Sequence, residues 1–189
     1  MNWQTHLMAA APARSLLQEQ GSLTLRLARA CHHFVVHCLC QRAAPLSPDE
    51  ADCLELRAGQ MVWERDVLLL TDGRPAVFAH TVMPCCPRHP FDRSFAALQN
   101  QSLGKILFSD PRILRGKLEF RRLDRRDALY RRACLALKNH APVAPLPALL
   151  PPPRLWARRS RFNRQAKGVL VTEVFLPTAP FAPLTGMKS

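Results

Sequence analysis

Apolar and polar positions alternate along several stretches of the chain, and that period of two predicts about six β-strands set among a few short helices. Residues 13–30 carry Leu16, Leu17, Leu23, Leu25 and Leu27 near helical spacing, with Gly21 placed to kink or break the run. Residues 32–40 alternate and are rich in Val and Phe, which predicts a strand, while 43–50 reads as a loop. The clearest local signal lies at 62–70 and 76–83, two apolar runs joined through Asp72-Gly73, a hairpin-turn dipeptide. A loop at 84–90, short helices at 91–100 and 102–108, and a strand at 112–122 follow. Leu129, Ala133 and Leu137 form the stripe of an amphipathic helix over 125–138. Six of the twelve residues from 142 to 153 are proline, so that segment reads as an extended surface connection. Two further strands, 155–162 and 168–177, are joined by a polar turn at 163–167. Mostly antiparallel neighbours with few helices define an α+β class.

Two charges break the pattern. Alternation puts Arg65 on one strand face with Trp63, Val67 and Leu69, and Glu173 on one face with Val169, Val171 and Phe175. A lone buried charge costs several kcal/mol, so each residue needs a partner, a ligand or a water-lined cavity. Three readings follow: Arg65 and Glu173 pair with each other, one of the strands is a half-wet edge, or both charges belong to a site.

Composition narrows the classes. At 189 residues, 48% hydrophobic and 22% charged, the chain fits one globular domain with a real core. No apolar run approaches the roughly 18 residues of a membrane span. Residues 1–12 lack the basic and long apolar regions of an export signal. Seven cysteines, an odd number, then point to free thiols in a reducing cytosol. An excess of 27 Lys and Arg over 14 Asp and Glu gives +13, a field that attracts anions. Few aromatics interleave with the basic runs at 121–126, 130–132 and 154–167, so they read as solvated faces rather than a nucleic-acid surface. Cys31-His-His33 with His37-Cys38-x-Cys40 has metal-binding residue types, but on a strand His37 points away from Cys38 and Cys40. Cys85-Cys86 with His89 lacks an activating pattern. Gly-rich phosphate loops and a serine elbow are absent, which leaves cofactor chemistry unsupported.

Four blocks carry a resemblance. Trp63-Glu-Arg-Asp-Val-Leu-Leu-Leu-Thr-Asp-Gly-Arg-Pro75 with Ala79-His-Thr-Val-Met-Pro84, then Ser102-Leu-Gly-Lys-Ile-Leu-Phe108, Leu155-Trp-Ala-Arg-Arg-Ser-Arg161 and Leu170-Val-Thr-Glu-Val-Phe-Leu-Pro177 resemble chorismate lyase, in that family's order. Ser22-Leu-Thr24 matches more weakly. The resemblance implies a single antiparallel sheet with helices packed on one side and flaps covering an internal ligand cavity. It implies a monomeric, cytoplasmic carbon–oxygen lyase that needs no cofactor or metal. Such an enzyme converts chorismate to 4-hydroxybenzoate and pyruvate, the first committed step towards ubiquinone.

By resemblance, Arg65 binds the product carboxylate and Glu173 stands at the hydroxyl end of the ring. Leu23 and Leu103 match positions whose backbone N–H groups help hold the carboxylate. Glu173 then either donates to the leaving ether oxygen or holds the ring hydroxyl. Leu23 stands where the family often has methionine, and a backbone contact tolerates that change. One domain over 1–189 is expected, with a basic helix and proline-rich insertion at about 123–153 that is longer than in other members. The alternative is a non-catalytic effector-sensing domain of the same fold. Such regulators carry a DNA-binding domain upstream, for which the 21 residues before Ser22 leave no room.

Overall fold

The computed structural model describes residues 2–7, 14–85, 98, 100–140, 152–164, 167–177 and 179. Their elements, in order, are α1 (Arg14–Leu17), α2 (Leu23–Arg29), β1 (Phe34–Pro45), α3 (Pro48–Leu54), β2 (Met61–Thr71), β3 (Arg74–Pro84), α4 (Leu103–Ser109), β4 (Leu114–Arg115), β5 (Glu119–Asp124), α5 (Ala128–Asn139), β6 (Arg154–Arg164) and β7 (Lys167–Phe175). Seven strands form one antiparallel sheet in the order β1-β2-β3-β7-β6-β4, with β5 also paired to β6. The β2–β3 hairpin turns at Asp72 and Gly73, whose φ values of 49° and 76° suit the twist of the flanking strands. Asp72 Oδ1 accepts the N–H groups of His32 and His33 at 3.0 and 2.8 Å, which pins the turn to the start of β1.

The two sheet faces are covered differently. On one, α5 packs Tyr130, Ala133 and Leu137 against Leu68, Phe78 and Val174, and α3 packs Ala51 and Leu54 against Val62, Val82 and Leu170. On the other, α1, α2 and α4 lay Leu17, Leu23, Leu27, Leu103 and Leu107 over the sheet without filling the space above its centre. Gly21 does separate α1 from α2, and Ser22 caps α2 by accepting the Leu25 N–H at 3.3 Å.

Two expectations are corrected. The strand expected at 112–122 is two strands, which raises the count from about six to seven. At Gly116 the N–H bonds the Arg161 carbonyl at 2.7 Å, and a Cβ there would come 3.2 Å from the same oxygen. The chain bends at that close approach, Leu114 turns outward and Arg115 turns in. Residues 43–50 are not a loop: β1 runs on to Pro45, and Pro48 opens α3 behind Ser47. The Glu50 carboxylate reaches back to the Ser47 N–H at 3.3 Å and its hydroxyl at 2.5 Å, a capping-box arrangement in which proline suits the first helical turn.

That helix carries Glu50 into a polar layer beneath the sheet. His80 lies between Asp66 (Nδ1 to Oδ1, 2.6 Å) and Glu50 (Nε2 to Oε1, 2.9 Å). Arg132 of α5 pairs with Asp66 and Glu64, and Arg42 with Glu64 at 2.8 Å. Most of the helix expected at 91–100, Cys86 and His89 before it, and most of 142–153 lie outside the described residues. Among the described residues, no helix is long and apolar enough to cross a membrane.

Candidate active site

Antiparallel register arranges the cavity floor in two rows. Arg65, Thr81, Val171 and Ser160 are successive partners across β2, β3, β7 and β6; Val67, Ala79, Glu173 and Arg158 form the adjacent row. Arg65 and Glu173 are therefore on one face, two strand spacings or roughly 10 Å apart across the sheet, with small residues between them. Both line the cavity, beneath a roof made by the first turns of α2 and α4. Neither β2 nor β7 is an edge strand, which removes the half-wet-edge reading.

Arg65 is 2% exposed, and its Nη2 donates to the Gln101 carbonyl at 2.8 Å, just before α4. Burial lowers its pKa from the ordinary value. The ion pair of Glu173 is with Arg158, Nε to Oε2 at 2.6 Å, and not with Arg65. Arg158 is 1% exposed, and its Nη1 donates to the carbonyls of Leu16 (3.1 Å), Leu17 (3.2 Å) and Glu19 (2.8 Å). These oxygens belong to the end of α1 and the residues just after it, so Arg158 fastens the first roof segment to the floor.

Leu23 and Leu103 begin the two roof helices, each behind a serine cap. Ser22 accepts from Leu25, and Ser102 accepts the Gly104 N–H at 3.1 Å. The two helix starts meet: Ser102 Oγ donates to Thr24 Oγ1 in the first turn of α2 at 3.0 Å. A Cβ on Gly104 would lie 3.0 Å from Ser22 Oγ, so only glycine permits this approach without movement. First-turn N–H groups have no acceptor within their own helix. With the Arg65 guanidinium on the same cavity, the arrangement offers a carboxylate both a planar cation and backbone donors.

Two more arginines line the cavity that sequence reasoning did not assign. Arg158 shares a strand face with Trp156, Ser160 and Phe162, and the alternation test that singled out Arg65 and Glu173 finds it too. Arg115 was hidden by the expectation of one unbroken strand. Its Nε donates to Ser160 Oγ at 2.9 Å and its Nη1 to the Gln20 carbonyl at 2.5 Å. Its guanidinium lies 5.6 Å from the Phe108 ring centre and 5.4 Å from that of Phe162. Burial, reinforced by the neighbouring Arg158 charge, lowers its pKa to about 10. Among the described residues, three guanidiniums facing one carboxylate leave the lining with a net charge of +2. The histidine and cysteine cluster of the sequence is not assembled: the His37 ring packs at a tilt against His140, centres 4.8 Å apart, and a β-bulge separates Cys38 from Cys40. Among the described residues, no group of three or more His, Cys, Asp and Glu side chains is placed to hold a metal ion.

A single antiparallel sheet carries a cationic cavity on one face, roofed by paired helix starts, a lining whose chemistry suits a small carboxylate. The chain belongs to the chorismate lyase family, whose model matches residues 2–182. It is 45% identical over 172 residues to a probable chorismate pyruvate-lyase of Aromatoleum aromaticum, covering 89% of this chain and 86% of the relative. It is 38% identical over 184 residues to one from Methylobacillus flagellatus, covering 96% of each. Among solved structures, the PhnF C-terminal domain superposes with a TM-score of 0.58 at 14% identity, over 92% of this chain and 96% of that one. That last likeness shows the fold alone.

Proposed function

We propose that the protein is a chorismate pyruvate-lyase, which releases 4-hydroxybenzoate and pyruvate from chorismate, acting in the cytoplasm as a monomer and without metal or cofactor. One observation carries the reading: Arg65 and Glu173 stand at opposite sides of one roofed cavity in a chain of this family. The Arg65 fork, with the Leu23 and Leu103 N–H groups, receives the ring carboxylate; Glu173 receives the far end of the ring. Its ion pair with Arg158 favours the acceptor role, holding the ring hydroxyl. This revises the picture of a glutamate surrounded only by Val and Phe.

The reaction breaks the C–O bond between ring and enolpyruvyl oxygen and removes the hydrogen from the adjacent, hydroxyl-bearing carbon. The electron pair of that C–H bond becomes ring π-density, and the leaving enolate takes a proton at its methylene carbon to become pyruvate. Aromatisation supplies the driving force. The protein's part is orientation and charge placement within the cavity.

The test is turnover of chorismate by protein exhaustively treated with chelator. The reading predicts equal amounts of pyruvate and 4-hydroxybenzoate. No release would refute the lyase and leave an effector-sensing domain; release abolished by chelator and restored by zinc would refute the metal-free claim.

A further inference from the structure

Chorismate carries two carboxylates, and the assignment above uses one. The second is on the enolpyruvyl arm, which leaves the ring at the carbon next to the hydroxyl-bearing one. An arm attached there extends from the Glu173 end of the cavity, where Arg158, Ser160 and Arg115 form the wall. We infer that Arg115, supported by Arg158 and Ser160, binds the arm carboxylate and so distinguishes substrate from product; this rests on the lyase reading.

Arg115 differs from the other arginines of this region. Arg158 pairs with Glu173, Arg159 with Asp49 and Glu119, and Arg161 with Glu55. Among the described residues, Arg115 has no carboxylate within ion-pair distance; its bonds go to the Ser160 hydroxyl and to carbonyls at Glu19, Gln20 and Gly21. Those bonds use Nε and Nη1 and leave Nη2 uncommitted among the described residues. The Phe108 and Phe162 rings lie within cation–π distance of the guanidinium. A half-buried cation with no carboxylate in direct contact is costly, and an incoming carboxylate lowers that cost. The charges agree: a net +2 among the described lining residues matches a dianion. Once the bond breaks, the two negative charges part. 4-Hydroxybenzoate keeps the group at Arg65, and pyruvate keeps the group at Arg115.

The experiment compares two unreactive ligands of the full-length protein, 3-carboxymethoxy-4-hydroxybenzoate and 3-methoxy-4-hydroxybenzoate, which differ by the arm carboxylate alone. Wild type should bind the dicarboxylate about tenfold or more tightly than the methoxy compound, as expected for a charge-assisted bond. Arg115→Gln should abolish most of that preference and raise the KM for chorismate by about tenfold, with 4-hydroxybenzoate affinity kept within about twofold. Arg115→Lys should restore part of it. Equal affinities in wild type would overturn the inference, even if the Gln variant does not fold. So would a variant that weakens both ligands alike, since that is what loss of the Gln20 tether alone would do. Wild-type turnover of chorismate is read in parallel. An active enzyme indifferent to the arm carboxylate sinks this inference and leaves the lyase; an inactive one sinks both.

Discussion

Raising the pH should loosen the sheet from the face opposite the cavity, because His80 there is a buried cation held between Asp66 and Glu50. Burial opposes its charge, but the hydrogen bonds and the attraction of the two carboxylates prevail, and its pKa rises from 6.5 to about 9. A folded-state pKa above the unfolded one means that the native state holds the proton more tightly. The resulting stability is complete below the unfolded value and is lost as the pH rises through about 9. At about 1.4 kcal/mol per unit, the shift corresponds to roughly 3 kcal/mol, a large share of the 5 to 15 kcal/mol of roughly typical domain stability. Urea unfolding followed by tryptophan fluorescence, from about pH 6 to about pH 10, would measure it in wild type and in His80→Gln. Burial raises the thiol pKa values of Cys40, Cys53 and Cys134, which also makes stability fall in alkali. Both proteins share that slope, and subtraction removes it. The wild type's advantage over the variant should shrink by about 3 kcal/mol across the window. An advantage that stays constant or grows with pH would refute a protonated His80 as the link between β3 and α3.

Three further outcomes follow from the cavity. Arg65→Ala should weaken 4-hydroxybenzoate binding by roughly 1.5 to 3 kcal/mol, the worth of a charge-assisted contact, as read by calorimetric titration; unchanged affinity would remove Arg65 from the site. Glu173→Gln should lower turnover and cost about 3 kcal/mol of stability by orphaning Arg158, and an apolar double replacement of the pair should recover much of that loss; a purely additive stability cycle would contradict the coupling. Gly104→Ala, which places a Cβ 3.0 Å from Ser22 Oγ, should part the two roof helices and raise the product Kd, with the fold retained in thermal unfolding; an unaltered Kd would show that the caps need not meet.

The sequence made the floor of the site legible and its walls only partly so. Alternation places Arg65 and Glu173 without any coordinates, because a strand gives each residue only two faces to choose between. The same logic reaches Arg158, but a run of three arginines in Arg158-Arg-Ser-Arg161 looks like a solvated surface until β6 is known to lie inside the sheet. Arg115 was out of reach, since its direction depends on the bend at Gly116, which arises from contact with a strand 45 residues away. Ser47-Pro-Asp-Glu50 was legible and misread: prolines and small polar residues suggest a loop, whereas serine followed at the third position by glutamate is also a helix start. Missing α3 hid the partner of His80. The pairing of Glu173 with Arg158 rather than Arg65 is a matter of register, and a list of strands does not supply register.

The central claim is that one ligand spans Arg65 and Glu173, and a crystal structure of the protein with 4-hydroxybenzoate tests it most directly. The account predicts the carboxylate within hydrogen-bonding distance of the Arg65 guanidinium and the Leu23 and Leu103 N–H groups, with the phenol oxygen on Glu173. A ring bound the other way round, with its carboxylate at Arg115 and Arg158, or bound outside the cavity altogether, would contradict it.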